Sequence, residues 1–318
     1  MKLAFNRPRF FCAGADSFYP LLKGMWVGIG LREAGRLTLL ANRQSKDLWV
    51  SRVIDYVVNR QNEDGGYTFC QGTESNAQDT YYGLAILDLL SVPFPKVEKT
   101  LEWLQSFVPD NLYSHYYVAK TIKLCGKEPE KKLLRKFILS LPIVNGEFGT
   151  VDVYAEVASE FLSIFMLIEL ADMVDVEINR KKIVDWLLSF KNNDGGFGAH
   201  GHSNLNSTYH AVASLSSNLG YYVNSLRGTL EYVRACEKLY GGFTVVPNGA
   251  IPYMEHIYYG TSTLNLLGER LRYPKQTAEL VLKCQNANGG FARSDLGTST
   301  FEDTFYAVSV LQTISRQR

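Results

Sequence analysis

Three stretches of this sequence repeat one another, and their repetition decides the fold. They are QNEDGGY at Gln61–Tyr67, KNNDGGF at Lys191–Phe197 and QNANGGF at Gln285–Phe291. Two weaker copies lie between them, NGEF at Asn145–Phe148 and YGGF at Tyr240–Phe243. Self-similar stretches in one chain indicate a repeat architecture, in which each copy is one supersecondary unit.

The spacing of the copies predicts the number of units. The glycine pairs of the last three copies are 46 and 48 residues apart. The 81 residues from Gly65 to Gly146 leave room for one degenerate copy near Asn111. The sequence therefore predicts about six units.

Each unit is predicted to consist of two helices. The first has apolar residues at the i, i+3, i+4, i+7 spacing of an amphipathic helix. Examples are Trp49, Val53, Ile54 and Val57 in one copy and Ile183, Trp186, Leu187 and Phe190 in another. The glycine pair is expected to end this helix as its C-cap, because glycine adopts the left-handed conformation. The second helix (81–90, 209–219 and 305–314) is more apolar, so we expect it to be buried.

The second helices have similar beginnings. Asp79-Thr-Tyr-Tyr82 and Asp303-Thr-Phe-Tyr306 share Asp-Thr-aromatic-Tyr, and Asp16-Ser-Phe-Tyr19 is similar; Asp152 and Asn206 are expected to begin two more. The structural interpretation makes these residues helix N-caps. The functional interpretation is that, in a closed ring, the helix N-termini converge at one end of a central cavity. That end would favour an anion such as diphosphate.

Composition limits the class of protein. The chain has 318 residues, of which 46% are hydrophobic and 20% charged, and this balance excludes a disordered chain. Its 33 Lys and Arg against 32 Asp and Glu leave a net charge of +1, which argues against a nucleic-acid binder. The length fits one large domain or two ordinary ones.

The N-terminal stretch, the apolar runs and the cysteines of the sequence favour a cytoplasmic protein. The N-terminal stretch has Arg, Pro and Asp where a signal peptide has an apolar core. The longest apolar run, Phe161–Leu170, is too short to span a membrane. The five cysteines are scattered and form no C-x-x-C pair, so neither a disulfide framework nor a cysteine-rich zinc site is expected.

The glycine-pair repeat followed by Asp-Thr-x-Tyr resembles the repeat of the protein prenyltransferase β-subunits and of class II terpene cyclases of the squalene–hopene type. The resemblance extends from about residue 45 to the C-terminus. It implies an all-α fold, an α/α toroid of about six helical hairpins with inner and outer helix rings, whose central funnel holds a polyisoprenoid. It further implies one domain over residues 1–318, in which residues 1–15 are unassigned. An open HEAT-like solenoid is the alternative, which the apolar second helices disfavour.

The resemblance also allows a check for zinc. Protein prenyltransferases of this family hold a catalytic zinc through the Asp and Cys of D-x-C-Y and a His from a later inner helix, and the metal presents a substrate thiolate. Here Phe18, Tyr81 or Phe305 stands at the Cys position. The nearest match to the His string is Ser207-Thr-Tyr-His210, which lacks the Asp. The zinc ligand set is therefore not intact; the sequence assigns no certain cofactor, although zinc stays possible.

Class II terpene cyclases use a D-x-D-D-T string in which a carboxylic acid protonates an alkene. Thr300-Phe-Glu-Asp-Thr304 is similar in its last three positions and makes Glu302 and Asp303 a candidate catalytic acid pair. Such an acid has to be kept protonated by burial and hydrogen bonding. Because Asp-Thr recurs as a feature of the repeat, a purely structural role is the alternative.

The family's diphosphate-binding residues have partial counterparts. Arg293 follows a glycine pair and Phe291, Tyr306 stands at the family's Tyr position, and His256 lies in a stretch similar to the family's M-E-x-H-x-x-Y. A solvated loop charge and a buried histidine are the alternatives for Arg293 and His256. The Arg of the family's E-V-D-V-R segment contacts the isoprenoid or peptide side, and here that position is Tyr154.

Aromatic residues and histidines complete the candidates. The second helices are rich in aromatic residues, which are expected to pack the core or to line a funnel where they would stabilise a carbocation. Candidate substrate-binding residues of these helices are Asp79, Tyr82, Tyr209 and His210. His200, His202 and His210 are weak candidates for a metal site.

Three functions are consistent with these features. The first is a prenyltransferase-like protein that binds or processes a polyisoprenoid or prenyl diphosphate in a central aromatic cavity, without the standard zinc. The alternatives are a small class II terpene-cyclase-like enzyme that uses Glu302 and Asp303, and a non-enzymatic lipid- or peptide-binding toroid. The resemblance also implies a helical α-subunit-like partner. Neither nucleic acid nor a membrane span is expected.

Overall fold

The structure, a computed structural model, describes residues 48–141 and 157–317, and these residues form twelve helices. Helix α1 covers residues 48–58. The others are α2 Ala77–Leu89, α3 Val97–Ser106, α4 Leu112–Leu124, α5 Lys131–Ser140, α6 Val157–Met173, α7 Arg180–Ser189, α8 Leu205–Ala213, α9 Thr229–Cys236, α10 Met254–Leu266, α11 Pro274–Lys283 and α12 Phe301–Arg316. A wider helical turn, Ser214–Asn218, continues α8. Extended pairing in these two ranges is limited to isolated bridges, and the all-α prediction is confirmed.

The even-numbered helices form an inner ring. Each packs against the next, from α2 and α4 through to α10 and α12, and α12 packs in turn against α2. Outer helices α3, α5, α9 and α11 each pack against the inner helix that follows them. The ring is therefore closed, as the α/α toroid prediction required, and an open solenoid is excluded.

Burial of the helices follows their composition. Inner helix α2 buries ten of its 13 residues, whereas outer helix α3 buries only Thr100 and Leu104. An apolar helix needs cover on all sides, while an amphipathic helix needs cover on one face. The two kinds of helix therefore separate into an inner and an outer layer.

The glycine pair forms a tight turn after the outer helix and is not its C-cap, so that prediction is wrong. Helix α1 ends at residue 58, well before Gly65. The N–H of Gly65 donates to the Asn62 carbonyl, and the N–H of Asn62 donates to the Gly66 carbonyl. Gly65 does have the expected left-handed backbone, with φ +95°. A Cβ there would lie 2.4 Å from the Lys99 carbonyl carbon, so the turn fits against α3 only as glycine.

The backbone N–H of the aromatic residue after each full glycine pair donates a hydrogen bond to a threonine of the inner helix that follows. The N–H groups of Tyr67, Phe197 and Phe291 donate to the hydroxyls of Thr80, Thr208 and Thr304, at 2.9, 3.0 and 2.9 Å. The three aromatic side chains are fully buried, so an unpaired N–H there would be costly. The threonine of the recurring Asp-Thr therefore has a structural role.

The aspartates of Asp-Thr are not N-caps, which corrects a second prediction. The N-caps of α2 and α12 are Asn76 and Thr300, whose side chains accept the N–H of Asp79 and Asp303 three residues later. Asn206 also lies inside its helix, since α8 is capped by Asn204. These helices begin earlier than predicted, and the two aspartates lie in the first turn, where carboxylates interact favourably with the helix N-terminus.

The degenerate unit near Asn111 is confirmed. Asn111 caps α4, and only residues 107–111 join α3 to α4, so this unit has no glycine turn. Several sequence features lie outside the described residues: the copy at 145–148, Asp16, Phe18, Asp152, Tyr154 and residues 1–15.

Two further expectations concern membrane and cysteine chemistry. Over residues 48–141 and 157–317, no helix has the length and apolar character needed to cross a membrane. Cys70, Cys125, Cys236 and Cys284 are free thiols.

Candidate functional site

Consecutive aromatic or histidine side chains occupy the same register of the inner helices and meet at the centre of the ring. The pairs are Tyr81–Tyr82, Tyr116–Tyr117, Tyr209–His210, Tyr258–Tyr259 and Phe305–Tyr306, and Phe165 of α6 joins them. Tyr209 stacks on Tyr259 with ring centroids 4.8 Å apart, and Tyr258 stacks on Tyr306 at 4.5 Å. We call this set the aromatic cluster. Its rings belong to six helices, so it depends on closure of the toroid.

The aromatic cluster fills most of the space that it surrounds. The cavity between its side chains is about 70 Å³, which is room for roughly two water molecules. Pockets for small-molecule ligands usually measure about 300–1,000 Å³. An isoprenoid chain therefore enters the cluster only if the rings move apart, and this geometry does not confirm an open aromatic funnel.

A larger cavity of about 380 Å³ lies where the N-termini of α2, α10 and α12 converge. Its lining residues are Phe69, Gln78, Asp79, Glu255, Tyr259, Arg293, Thr300, Glu302, Asp303 and Tyr306. We call it the mouth cavity. The predicted convergence of helix N-termini is confirmed for these three helices. Their first turns, however, carry carboxylates that already complement the helix dipoles.

Glu302 connects the two cavities, because it lines both. Its Oε1 accepts hydrogen bonds from the hydroxyls of Tyr306 at 2.9 Å and Tyr82 at 3.3 Å. Those hydroxyls lie 3.3 and 3.4 Å from the hydroxyls of Tyr259 and Tyr117. The hydrogen bonds of the carboxyl group to described residues are both made by Oε1. Burial raises the pKa of the Glu302 carboxyl, while the two tyrosine hydrogen bonds act in the opposite direction.

Asp303 lies beside Glu302 and is also a weaker acid than usual. Burial is the main cause and the neighbouring Glu302 charge adds to it, which together raise the pKa of Asp303 to about 7. The hydroxyl of Thr300 donates to Asp303 Oδ2 at 2.7 Å and partly opposes this shift. Across the mouth cavity, burial also raises the pKa of Asp79, whose Oδ2 accepts the N–H of Phe69 at 3.1 Å.

The raised pKa of Asp303 predicts a pH-dependent stability. From about pH 4 to pH 7 the unfolded chain ionises this carboxyl while the folded protein keeps it protonated. The folded state then binds more protons, so its stability falls as the pH rises through this window and levels off above it. Asp303→Asn should flatten this slope and be more stable relative to wild type at pH 8 than at pH 4, measured by urea unfolding.

Asp295→Asn, a change at an exposed aspartate of the same loop, serves as the control. It should leave the slope of stability against pH unchanged. A slope that is equally steep in Asp303→Asn would show that Asp303 ionises normally in the folded protein.

Arg293 reaches the mouth cavity but is already bound to a carboxylate. Its Nε donates to Glu255 Oε1 at 2.8 Å, and its Nη2 donates to the same oxygen. Its guanidinium also lies 4.1 Å from the centre of the Tyr253 ring. The hydrogen bond to Glu255 is the main reason that the pKa of Arg293 is raised.

His256 does not line the mouth cavity, although it lies next to it. The side chain is buried, with Nε2 3.7 Å from Glu255 Oε1 and Nδ1 without a partner in the described ranges. Burial lowers the pKa of His256, so the imidazole is neutral at neutral pH. A neutral ring offers no charge to a diphosphate.

The three histidines that were weak metal candidates are not brought together. His210 is buried in the aromatic cluster, while His200 and His202 are exposed. Burial lowers the pKa of His210 to about 4, and its Nδ1 lies 2.9 Å from the Asn206 carbonyl and must carry the hydrogen. Within the part of the chain that the structure describes, no three His, Cys, Asp or Glu side chains are grouped to hold a metal ion.

Glu255, Gln78 and Phe69 line the mouth cavity and were missed at the level of sequence. A signal for Glu255 was present. It stands four residues before Tyr259, just as Glu302 stands four residues before Tyr306, so both fall on the same face of their inner helices. Phe69 and Gln78 have no comparable pattern.

A closed ring of alternating inner and outer helices, with a cavity at the inner-helix N-termini, defines the class as an α/α toroid. The family model for the prenyltransferase alpha-alpha toroid domain matches residues 34–108, 105–250 and 251–318. The chain belongs to this family.

Two curated relatives are β-subunits of protein prenyltransferases. Over 155 residues the chain is 26% identical to the geranylgeranyl transferase type-1 subunit beta of Arabidopsis thaliana, covering 44% of this chain and 40% of the relative. Over 230 residues it is 26% identical to the protein farnesyltransferase subunit beta of Schizosaccharomyces pombe, covering 66% and 55%. The chain thus spans about half the length of the curated relatives it matches.

Solved structures of a protein prenyltransferase and of a terpene cyclase share the fold. Candida albicans protein geranylgeranyltransferase-I, complexed with GGPP, superimposes with a TM-score of 0.65 at 17% identity over 83% of this chain and 90% of that one. The type II terpene cyclase MstE from Scytonema gives a TM-score of 0.54 at 11% identity over 85% and 97%. At these identities the likeness extends to the fold alone.

Proposed function

We propose that this toroid acts on an isoprenoid ligand by acid chemistry, with Glu302 as the proton donor and Asp303 as its neighbour in the mouth cavity. The observation that carries the proposal is the position of Glu302 between the mouth cavity and the aromatic cluster. One carboxyl oxygen accepts two tyrosine hydroxyls, and the residue lines both cavities.

The surroundings of Glu302 suit a proton donor. Burial raises its pKa and so favours the protonated carboxyl, and the hydroxyls of Tyr306 and Tyr82 would stabilise the carboxylate left behind. The proton on Oε2 would pass to one carbon of an alkene, whose π electrons form the new C–H bond. The neighbouring carbon then carries a positive charge, which tyrosine faces stabilise by about 2 kcal/mol or more when desolvated.

The charge would be passed along the chain and discharged as a proton, with water as the acceptor. The π electrons of a second double bond attack the cationic carbon and close a ring. Loss of a proton to water then restores a double bond, and water returns a proton to the Glu302 carboxylate, so the product is an isomer of the substrate. The ligand would enter through the mouth cavity, and its chain would separate the rings of the aromatic cluster.

A second candidate is the transferase-like function, in which the mouth cavity holds a prenyl diphosphate. The observation that favours it is that Arg293 and Tyr306 line the same cavity. Against it, Arg293 is bound to Glu255, and three further carboxyl groups, of Asp79, Glu302 and Asp303, line that cavity. The family's zinc has no place in either proposal, since Tyr81 and Phe305 stand where its cysteine ligand would be. The names of the curated relatives support a second subunit, which stays a prediction.

The experiment that separates these functions uses chelator-treated full-length protein in D₂O, with geranylgeraniol and geranylgeranyl diphosphate as probes. Acid chemistry predicts a cyclised isomer that carries one carbon-bound deuterium, identified by mass spectrometry. Release of diphosphate without deuterium uptake would favour the transferase-like function.

Ligand binding is measured in parallel by thermal unfolding. An isoprenoid at a hundredfold excess over its Kd should stabilise the protein by about 2.7 kcal/mol. Stabilisation without turnover would support the non-enzymatic toroid. If neither probe stabilises the protein nor is converted, the isoprenoid proposal is wrong.

A further inference from the structure

The cation of the mouth cavity is already paired with a carboxylate. Arg293 is the one Lys or Arg among the described residues that line this cavity. Two of its nitrogens donate to the same oxygen of Glu255, and its guanidinium lies against the Tyr253 ring. The Glu255 side chain is only 17% exposed, whereas that of Arg293 is 57% exposed, so the carboxylate end of this ion pair is shielded from water. An incoming phosphate would have to compete with this carboxylate for the guanidinium.

The other groups around the mouth cavity also oppose an anion. Asp79, Glu302 and Asp303 contribute three further carboxyl groups, which repel an anion wherever they are ionised, and no second cation lies among the described lining residues. His256, the nearest histidine, is buried and neutral. The N-termini of α2, α10 and α12, which would attract a phosphate, are complemented by carboxylates of their own first turns.

We infer that Glu255 is a specificity-determining residue, which occupies Arg293 and makes the mouth cavity select an isoprenoid with an uncharged polar end, such as an alcohol or ester, over a prenyl diphosphate. This inference rests on the proposed function, since it concerns the ligand of the same cavity. It predicts that removing Glu255 strengthens anion binding and that removing Arg293 weakens it, although the two residues form one ion pair.

The test is the binding of inorganic pyrophosphate, measured by isothermal titration calorimetry in chelator-containing buffer. Wild-type protein should show no binding at millimolar pyrophosphate. Glu255→Gln and Glu255→Ala should bind it at least about tenfold more tightly than wild type, because an arginine released from a carboxylate can form charge-assisted hydrogen bonds to a phosphate. The double change Glu255→Gln with Arg293→Gln should lose this gain.

Glu279→Gln is the matched control. Glu279 lies on outer helix α11, where it faces Lys275 at 4.0 Å and lies outside the mouth cavity. Glu279→Gln removes the same charge from the chain as Glu255→Gln and should leave pyrophosphate binding at the wild-type level. Thermal unfolding of each variant shows that it is folded.

Two results would overturn the inference. One is tight binding of pyrophosphate to wild-type protein that Glu255→Gln leaves unchanged. The other is absence of binding in the folded Glu255 variants, which would show that Glu255 is not what excludes the anion. Either result leaves the proposed function standing, since that function is judged separately by deuterium uptake from D₂O.

Discussion

Glu302→Gln is expected to abolish deuterium uptake from D₂O and to lower turnover of an isoprenoid alcohol by about 10²–10⁴-fold, the usual contribution of a general acid. Glutamine has nearly the shape of a protonated glutamic acid and can still accept the hydroxyls of Tyr306 and Tyr82 through its carbonyl oxygen. It has no acidic proton to give. Product formation is measured by gas chromatography with mass spectrometry.

The same variant should be at least as stable as wild type. Burial raises the pKa of Glu302, so ionising this carboxyl costs the folded protein free energy at high pH, and a neutral amide removes that cost. Lower activity with unchanged or higher stability therefore distinguishes a lost proton donor from a damaged fold.

The matched control for this change is Glu169→Gln on inner helix α6. Glu169 also accepts a tyrosine hydroxyl, from Tyr116 at 2.5 Å, and pairs with Lys120 at 3.0 Å, but it is not among the residues that line the mouth cavity. Its loss should reduce stability and leave deuterium uptake in place. Wild-type turnover in Glu302→Gln would contradict the proposed role of Glu302.

Gly289→Ala is expected to destabilise the protein by about 2–5 kcal/mol. A residue with a Cβ pays about 1–2 kcal/mol in a left-handed conformation, and Gly289 has φ +94°. Its Cβ would also lie 2.0 Å from the Arg52 carbonyl oxygen of α1, and overpacking of this kind costs about 1–3 kcal/mol more. The contact joins the last unit of the toroid to the first, so the change strains ring closure.

Gly72→Ala separates the two causes. Gly72 has a similar backbone, with φ +86°, but no atom lies within 4 Å of where its Cβ would be. It should therefore lose only about 1–2 kcal/mol for the left-handed conformation. Both variants are compared by urea unfolding. Equal losses would show that the contact between the glycine turn and α1 does not constrain the ring.

The closed ring of inner and outer helices could be predicted from the sequence. The glycine pairs, the amphipathic outer helices and the apolar inner helices predicted the toroid. Two local details were wrong, because the glycine pair is a turn and the aspartates of Asp-Thr follow the N-cap. In both cases the residue type suits its backbone conformation. The hydrogen bonds of the structure, however, place the helix end or the N-cap several residues before it. The Asn62 turn and the Asn76 and Thr300 caps are seen only once those bonds are known.

The site was predicted in part. Glu302, Asp303, Asp79, Arg293 and Tyr306 do share one cavity. Sequence similarity had assigned Arg293 to an anion, but it could not show that Glu255 binds the arginine. The aromatic residues were expected to surround an isoprenoid, and in the structure their rings leave about 70 Å³.

The amino-acid sequence by itself determined the repeating unit, because the bonds that define it are local. In each full unit the threonine hydroxyl meets an N–H only 11 to 13 residues away. The chemistry of the mouth cavity was decided by tertiary structure. Arg293 meets Glu255 across 38 residues, and Tyr82 meets Glu302 across 220. The first pair forms when neighbouring units pack, and the second forms only when α12 closes the ring on α2. This packing sets which charges are paired and which carboxyl groups are buried.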